Sequence, residues 1–293
     1  MIAHRKYFAE PGKKIRLKDF DSGDTGNLDE KDEGKKILKN GIKRLRELQD
    51  MLYAHNRYSL LIVFQAMDAA GKDSTIKHVM SGINPQGCRV YSFKKPSEQE
   101  LGHDFLWRTS RCLPERGMIG IFNRSYYEEV LVTRVHPEII LNQRIPAIRS
   151  VEDITEEFWE ERYWQINAYE RRLVENGTII LKFFLNVSKQ EQKERFLDRI
   201  NEPDKNWKFS MADVKEREFW KDYQQAFETA INKTSTGYAP WYIIPADHKW
   251  YMRAAVCDII IRKLESLDVH YPEVSEEQKR NLKEAKQKLE NEK

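Results

Sequence analysis

Tyr58-Ser-Leu-Leu-Ile-Val-Phe-Gln-Ala-Met-Asp-Ala-Ala-Gly-Lys-Asp-Ser-Thr-Ile-Lys77 is the stretch whose reading decides the fold. A continuous apolar run, Leu60 to Phe64, breaks into small residues and then into helical spacing. A parallel strand buried on both faces feeds a phosphate-binding turn in this way. Against the pattern G-x-x-x-x-G-K-[ST], Gly71 and Lys72 match, but Ala66 stands at the first glycine and Asp73 where Ser or Thr would hold a magnesium ion. A glycine turn entering a helix presents backbone N–H groups and the positive end of the helix dipole to an anion, and Lys72 adds a full charge. Ala66 is compatible with such a turn wherever φ stays negative. Asp68 and Asp73 put carboxylates where an unaided nucleotide triphosphate would be repelled, which calls for Mg2+, with Asp68 the better-placed ligand. Asp73 also has the chemistry of a helix cap.

The rest of the chain alternates strand and helix. Arg89 to Phe93, Met118 to Phe122, Thr178 to Val187 and Trp241 to Pro245 read as four further strands. Helices are expected over Asp29–Ala54, Asp73–Ser81, 97–112 (with a Ser97/Glu100 capping box), 155–176, Ser188–Arg199, Ser210–Asn232, Asp247–Leu267 and Val274–Lys293. The pattern predicts an α/β protein: a doubly wound, five-stranded parallel sheet with helices on both faces. We expect residues 1–56 to form an irregular arm and a helix packed on the core, 57–270 the main domain with an Arg-rich helical lid at about 190–217, and 271–293 a charged C-terminal helix.

Composition narrows the function classes. Fifty Lys+Arg against 47 Asp+Glu leave a net charge of +3, so an anionic ligand must be met by a local cluster rather than by an overall polycation. The cysteines Cys88, Cys112 and Cys257 are too scattered for a zinc knuckle or a disulfide framework, and residues 1–20 are charged rather than apolar. These features predict a soluble cytoplasmic protein with no membrane span and no nucleic-acid partner.

The strand Met118–Phe122 runs into Asn123-Arg-Ser-Tyr-Tyr-Glu128, where a phosphate-binding turn pairs with a metal-reaching carboxylate. Asn123 offers only a carbonyl oxygen, and Glu128 can supply the missing charge. Arg124 suits a two-donor grip on phosphate, or an ordinary ion pair. Lys77, Lys94, Lys95, Arg108 and Arg111 follow the first two strands, whose C-terminal ends form the binding edge of an open sheet, and together make a candidate basic channel or a solvated charged face. Arg195, Arg199, Lys205 and Lys208 fall in the expected lid, where mobile cations can close on phosphates. His103 has no partner at metal-ligand spacing.

Five ordered motifs, Ala66-Met-Asp-Ala-Ala-Gly-Lys-Asp73, Phe93-Lys-Lys-Pro-Ser97, His103-Asp-Phe-Leu-Trp-Arg108, Phe122-Asn-Arg-Ser-Tyr-Tyr-Glu128 and Ala239-Pro-Trp-Tyr-Ile-Ile-Pro-Ala-Asp247, resemble the polyphosphate kinase 2 family over nearly the whole chain. The resemblance implies a P-loop kinase of the thymidylate-kinase-like fold that moves phosphoryl groups reversibly between inorganic polyphosphate and adenine or guanine nucleotides. Asn123 to Glu128 resembles the class III branch, which accepts both AMP and ADP, although Tyr126 stands where His or Trp is expected. It further implies Asp68, Lys72, Arg124 and a lid arginine, Arg195 or Arg199, as catalytic groups. Asn123, Glu128, Asp222 and Lys208 are implied on the nucleotide side. Gly71, Lys72, Asp73, Lys77, Lys94 and Arg108 are implied along the polyphosphate, and Asp68, Asn123 and Glu128 at Mg2+ or Mn2+, in a homodimer or homotetramer. The competing readings are an ATP-dependent nucleoside or nucleotide kinase and a nucleotide-binding regulator without catalysis.

Overall fold

A computed structural model describes residues 2, 4–26 and 28–292; the ends of the expected arm and tail, Met1 and Lys293, and also Ala3 and Asn27, lie outside the described residues. Six strands build one sheet: β1 (Phe8–Ala9), β2 (Ser59–Gln65), β3 (Cys88–Ser92), β4 (Ile119–Asn123), β5 (Thr178–Asn186) and β6 (Trp241–Pro245), in the order β1-β6-β5-β2-β4-β3. The last five are parallel, as expected, but the sheet is not five-stranded: β1 adds an antiparallel edge, pairing Phe8 with Tyr242 and Ala9 with Trp241. Two residues carry too little pattern to announce a strand, and β1 exists only because the arm crosses the edge of β6.

Every residue of β2 is buried, with Leu60 paired to Ile119 on one side and Ile179 on the other. That burial on both faces is why the run reads as unbroken apolar sequence. Close packing also fixes Gly120 in β4, where a Cβ would meet the Pro114 ring at 2.9–3.1 Å.

The helices are α1 (Lys31–His55), α2 (Lys72–Val79), α3 (Glu98–Leu101), α4 (Trp107–Ser110), α5 (Glu128–Val135), α6 (Glu156–Glu175), α7 (Lys189–Asn201), α8 (Met211–Glu216), α9 (Trp220–Thr234), α10 (Lys249–Glu265) and α11 (Glu276–Glu290). Two of the expected helices are each split. The 97–112 helix keeps its Ser97/Glu100 capping box but stops at Leu101, and Asp104 Oδ1 accepts from Leu106 N at 2.9 Å to start α4 afresh. The Ser210–Asn232 helix is interrupted by a 3-10 turn, Arg217–Phe219, between α8 and α9. One apolar core runs through the sheet and takes in Tyr7, Leu17 and Leu28 of the arm together with Leu45, Leu48 and Leu52 of α1. By contrast, α11 buries nothing.

The chain leaves β2 for β3 and β4 on one side and for β5 and β6 on the other. Loops that follow β2 and its neighbours therefore part company at their C-terminal ends, which opens the crevice where α/β sheets bind ligands.

Candidate active site

The turn after β2 sits in that crevice. Gly71 has φ +109°, where a side chain would be strained, and it leads directly into α2. Ala69 is also left-handed, with φ +58°, a conformation that costs an L-residue of order 1–2 kcal/mol. The restoring contacts come from a distance. Arg195 Nη1 donates to the carbonyls of Ala69 (3.0 Å) and Ala70 (2.7 Å), Nη2 to those of Ala246 (2.6 Å) and Asp247 (3.1 Å), and Nε to Glu191 (2.7 Å). Gln192 Nε2 donates to Asp68 O at 2.8 Å. The backbone of the turn is thus held from α7 and from the β6–α10 loop.

Lys72 is buried, and its Nζ donates to Ala66 O at 2.8 Å and Met67 O at 3.3 Å. Burial pulls its pKa down, against the opposing charge of Asp68. Asn123 Nδ2 donates to Asp73 and, at 3.4 Å, to Ser92 Oγ. The two departures from the motif are therefore partners: the carboxylate has moved from the strand end to the turn, and the strand end supplies the amide that holds it.

Arg124 follows at φ +63°, its N–H bonded to Phe64 O at 3.0 Å and its Nη2 to Asp68 Oδ1 at 3.0 Å. The loop that carries it is fixed from below. Ser125 Oγ accepts from Gln65 Nε2 and from Tyr127 N, both at 3.1 Å. Glu170 Oε1 accepts from the hydroxyls of Tyr126 (2.8 Å) and Tyr127 (2.9 Å), while its Oε2 accepts from Lys182 Nζ at 2.6 Å. All four side chains are buried, and the Tyr126 hydroxyl has a built-in acceptor.

Glu128 opens α5, and burial raises its pKa against the charges of Arg124 and Lys72. Asp213 of α8 lies across the crevice, 3.6 Å from Arg199, and burial followed by the charge of Asp68 raises its carboxyl. Tyr223 donates to Glu216 at 2.7 Å; burial and that bond, then the charges of Asp68 and Glu128, hold its hydroxyl protonated. Glu216 also pairs with His136 Nε2 at 2.9 Å.

Asp68, Lys72, Asp73, Asn123, Arg124 and Glu128 thus come together, with Arg199 facing them through Asp213. Arg195 and Arg199 separate: Arg195 is spent on backbone carbonyls and Glu191, whereas Arg199 has a 3.4 Å bond to Lys208 O, its pairing with Asp213 and the face of the Phe196 ring at 5.3 Å. Lys77, Lys94 and Lys208 are exposed, Lys208 over the Trp207 ring at 4.9 Å. Arg108 is buried and donates to Lys94 O at 2.8 Å, so it braces the loop that carries Lys94. Asp222 is exposed on α9 without a described polar contact to the turn; its neighbour Tyr223 is the residue under the influence of the crevice. Sequence reasoning missed Asp213, Tyr223, Gln192, Glu170 and Lys182. Only Lys182 left a signal, a cation inside an apolar strand.

A buried lysine and a partly buried arginine converge beside a glycine turn at the carboxyl edge of a parallel sheet, the edge at which open α/β proteins take their ligands. The family model for polyphosphate kinase 2 (PPK2) matches residues 28–272. The chain belongs to that family. It is 48% identical over 98% of its length to the ADP-polyphosphate phosphotransferase of Rhodopseudomonas palustris, covering 99% of that protein. It is 44% identical over 92% of its length to the AMP/ADP-polyphosphate phosphotransferase of Meiothermus ruber, covering 96% of that protein. The crystal structure of polyphosphate kinase 2 from Arthrobacter aurescens TC1 superposes with a TM-score of 0.83 at 39% identity, over 94% of this chain and 97% of that one.

Proposed function

We propose that this chain is a polyphosphate:nucleotide phosphotransferase of the P-loop kinase type, moving the terminal phosphoryl group of inorganic polyphosphate to AMP and to ADP, reversibly and with a divalent metal, Mg2+ or Mn2+. The observation that carries the reading is the convergence of Lys72 and Arg124 on Asp68 and Glu128 at the mouth of the glycine turn. The names of the Rhodopseudomonas and Meiothermus relatives support the donor and the acceptors.

An oxygen of the acceptor phosphate attacks the terminal phosphorus. A new P–O bond forms, the bond to the penultimate phosphate breaks, and its electron pair leaves on the shortened chain. The acceptor is already an anion, so no strong general base is required; rate comes from alignment and charge neutralisation. Lys72 and Arg124 neutralise from the turn and the strand end, and Arg199 from a lid at about 190–217. Arg195 keeps the turn in shape. The polyphosphate runs from Gly71 and Asp73 past Lys77 and Lys94, with Arg108 beneath. Glu128, Asn123 and Lys208 border the nucleotide, with Tyr223 in the place first given to Asp222.

Oxygen donors suit a hard divalent cation, and the crevice contains them: the Asp213 carboxyl is raised first by burial and then by the charge of Asp68, and a cation nearby would offset both. No three carboxylate, histidine or cysteine side chains among the described residues gather closely enough to hold a metal by themselves, so Asp68 and Glu128 would hold it together with the amide oxygen of Asn123 and the substrate phosphates. When bound, the metal supplies charge neutralisation on the phosphate oxygens. No helix among the described residues is long and apolar enough to cross a membrane, which agrees with a cytoplasmic enzyme, read here as a homodimer or homotetramer.

The test is to incubate the protein with polyphosphate, a divalent metal and AMP, and separately with ADP, in the absence of ATP. ADP and ATP are the expected products. No product with polyphosphate, but turnover once ATP is supplied as donor, would replace this reading with an ATP-dependent kinase. Tight nucleotide binding without any transfer would make the protein a regulator.

A further inference from the structure

A cavity of ≈ 530 Å³ between the N-terminal arm, the start of α7 and α9 has no part in the reaction above. Its size falls in the range of small-molecule sites, roughly 300–1,000 Å³. Lys18 and Phe20 come from the arm, Lys189 is the first residue of α7, and Trp220 is the first residue of α9. Residues that flank the proposed lid on either side therefore line one cavity.

Its charge is unbalanced. Lys18, Lys189 and Lys221 have no carboxylate at ion-pair distance among the described residues, whereas Arg16, on the same wall, is matched by Asp19 at 2.9 and 3.0 Å. The one carboxylate on the walls, Glu228, already accepts Leu17 N at 2.8 Å. Lys189 Nζ lies 6.0 Å from the centre of the Trp220 ring, so a cationic group and a flat apolar surface adjoin.

The cavity also has a structural link to the catalytic turn. Arg217 donates to Lys189 O at 3.1 and 3.2 Å and to Gln192 Oε1 at 2.5 Å, and Gln192 donates to Asp68 O at 2.8 Å.

We propose that this cavity is a second nucleotide site, separate from the catalytic crevice, which takes a nucleoside triphosphate with its phosphates on Lys18, Lys189 and Lys221 and its base against Trp220 and Phe20. Bound there, the triphosphate bridges the residues that flank the lid, and the product class of the proposed reaction is thereby read at the lid's hinges.

Calorimetric titration tests this without turnover, so its result is independent of the polyphosphate assay. In a Lys72→Ala/Arg124→Ala background, which removes the two cations of the turn and the strand end, ATP is expected to bind still, and the part of that binding lost on charge reversal in the cavity belongs to the second site. Adding Lys18→Glu and Lys221→Glu weakens that binding by about tenfold or more, because two charge-assisted contacts become repulsive. Trp220→Ala weakens ATP by about fivefold through lost aromatic contact and leaves inorganic tripolyphosphate unchanged. Thermal melting checks that each variant is folded. Absence of ATP binding in the background variant, unchanged binding after the two charge reversals, or an equal loss of ATP and tripolyphosphate in Trp220→Ala would each overturn the proposal.

Discussion

Lys72 and Lys182 are both buried lysines, one just after β2 and the other in the neighbouring β5, and they are held in opposite ways. Burial lowers the pKa of each. Lys182 meets its charge in full: Glu170 at 2.6 Å, the Tyr127 hydroxyl at 2.9 Å and Thr234 O at 2.8 Å. Lys72 rests on two neutral carbonyls, with the nearby carboxylate Asp68 engaged by Arg124. A lysine that holds a fold together is neutralised inside it. One that is to meet a phosphate is parked on weak partners it can leave.

That contrast is most open to attack by mutation. Lys72→Ala and Arg124→Ala should each reduce transfer by about 10³-fold or more, since each removes a cation from the transferring group, while thermal melting stays close to wild type. Retained turnover in either would end the assignment. Lys182→Met should do the reverse. It strands Glu170 in the interior and costs about 3–5 kcal/mol in denaturant unfolding, with the specific activity of the folded fraction largely kept, and Lys182→Met/Glu170→Leu should recover much of the loss.

The arginines of α7 give a second, smaller contrast. Arg199→Ala should lower kcat by about 10²-fold with an unchanged melting temperature, as for a charge-neutralising contact. Arg195→Ala should lower the melting temperature as well, because carbonyls of Ala69, Ala70, Ala246 and Asp247 lose their donor. Equal melting temperatures for the two variants would show that they share one role.

The smallest effect is in the pH profile. Lys72 must be charged to act, and its folded pKa is depressed, so the basic limb of kcat/KM should begin below the ordinary lysine value of about 10.4. In the proposed metal-holding role Glu128 must be ionised, and burial raises its pKa in the metal-free protein, so the acidic limb of kcat/KM, which reports the free enzyme, should lie above the ordinary glutamate value of about 4.3 and disappear in Glu128→Gln if activity survives there.

Much of this was legible beforehand, because buried parallel strands announce themselves as apolar runs: the five parallel strands fall within a residue or so of the positions read from sequence. The turn and its partner strand followed from Gly71-Lys72 and Asn123–Glu128. What stayed hidden depends on tertiary neighbours. Arg195 and Arg199 share one helix face in sequence, and only the backbone carbonyls brought near one of them divide their work. Asp213 looks like any surface acid until α8 sets it opposite Asp68. The edge strand β1 has too few residues to show a period, and the two helix breaks turn on one Asp104 cap and one 3-10 turn.

The exchange between Asp73 and Asn123 bears on descent. A chain with the commoner arrangement, a hydroxyl at 73 and a carboxylate at 123, reaches this one only by passing through an intermediate with two carboxylates in contact or with none. Either intermediate misplaces one unit of charge beside the phosphates. The two positions should therefore travel together as a heritable pair, and Asp73→Ser/Asn123→Asp should be less harmful than either change made alone.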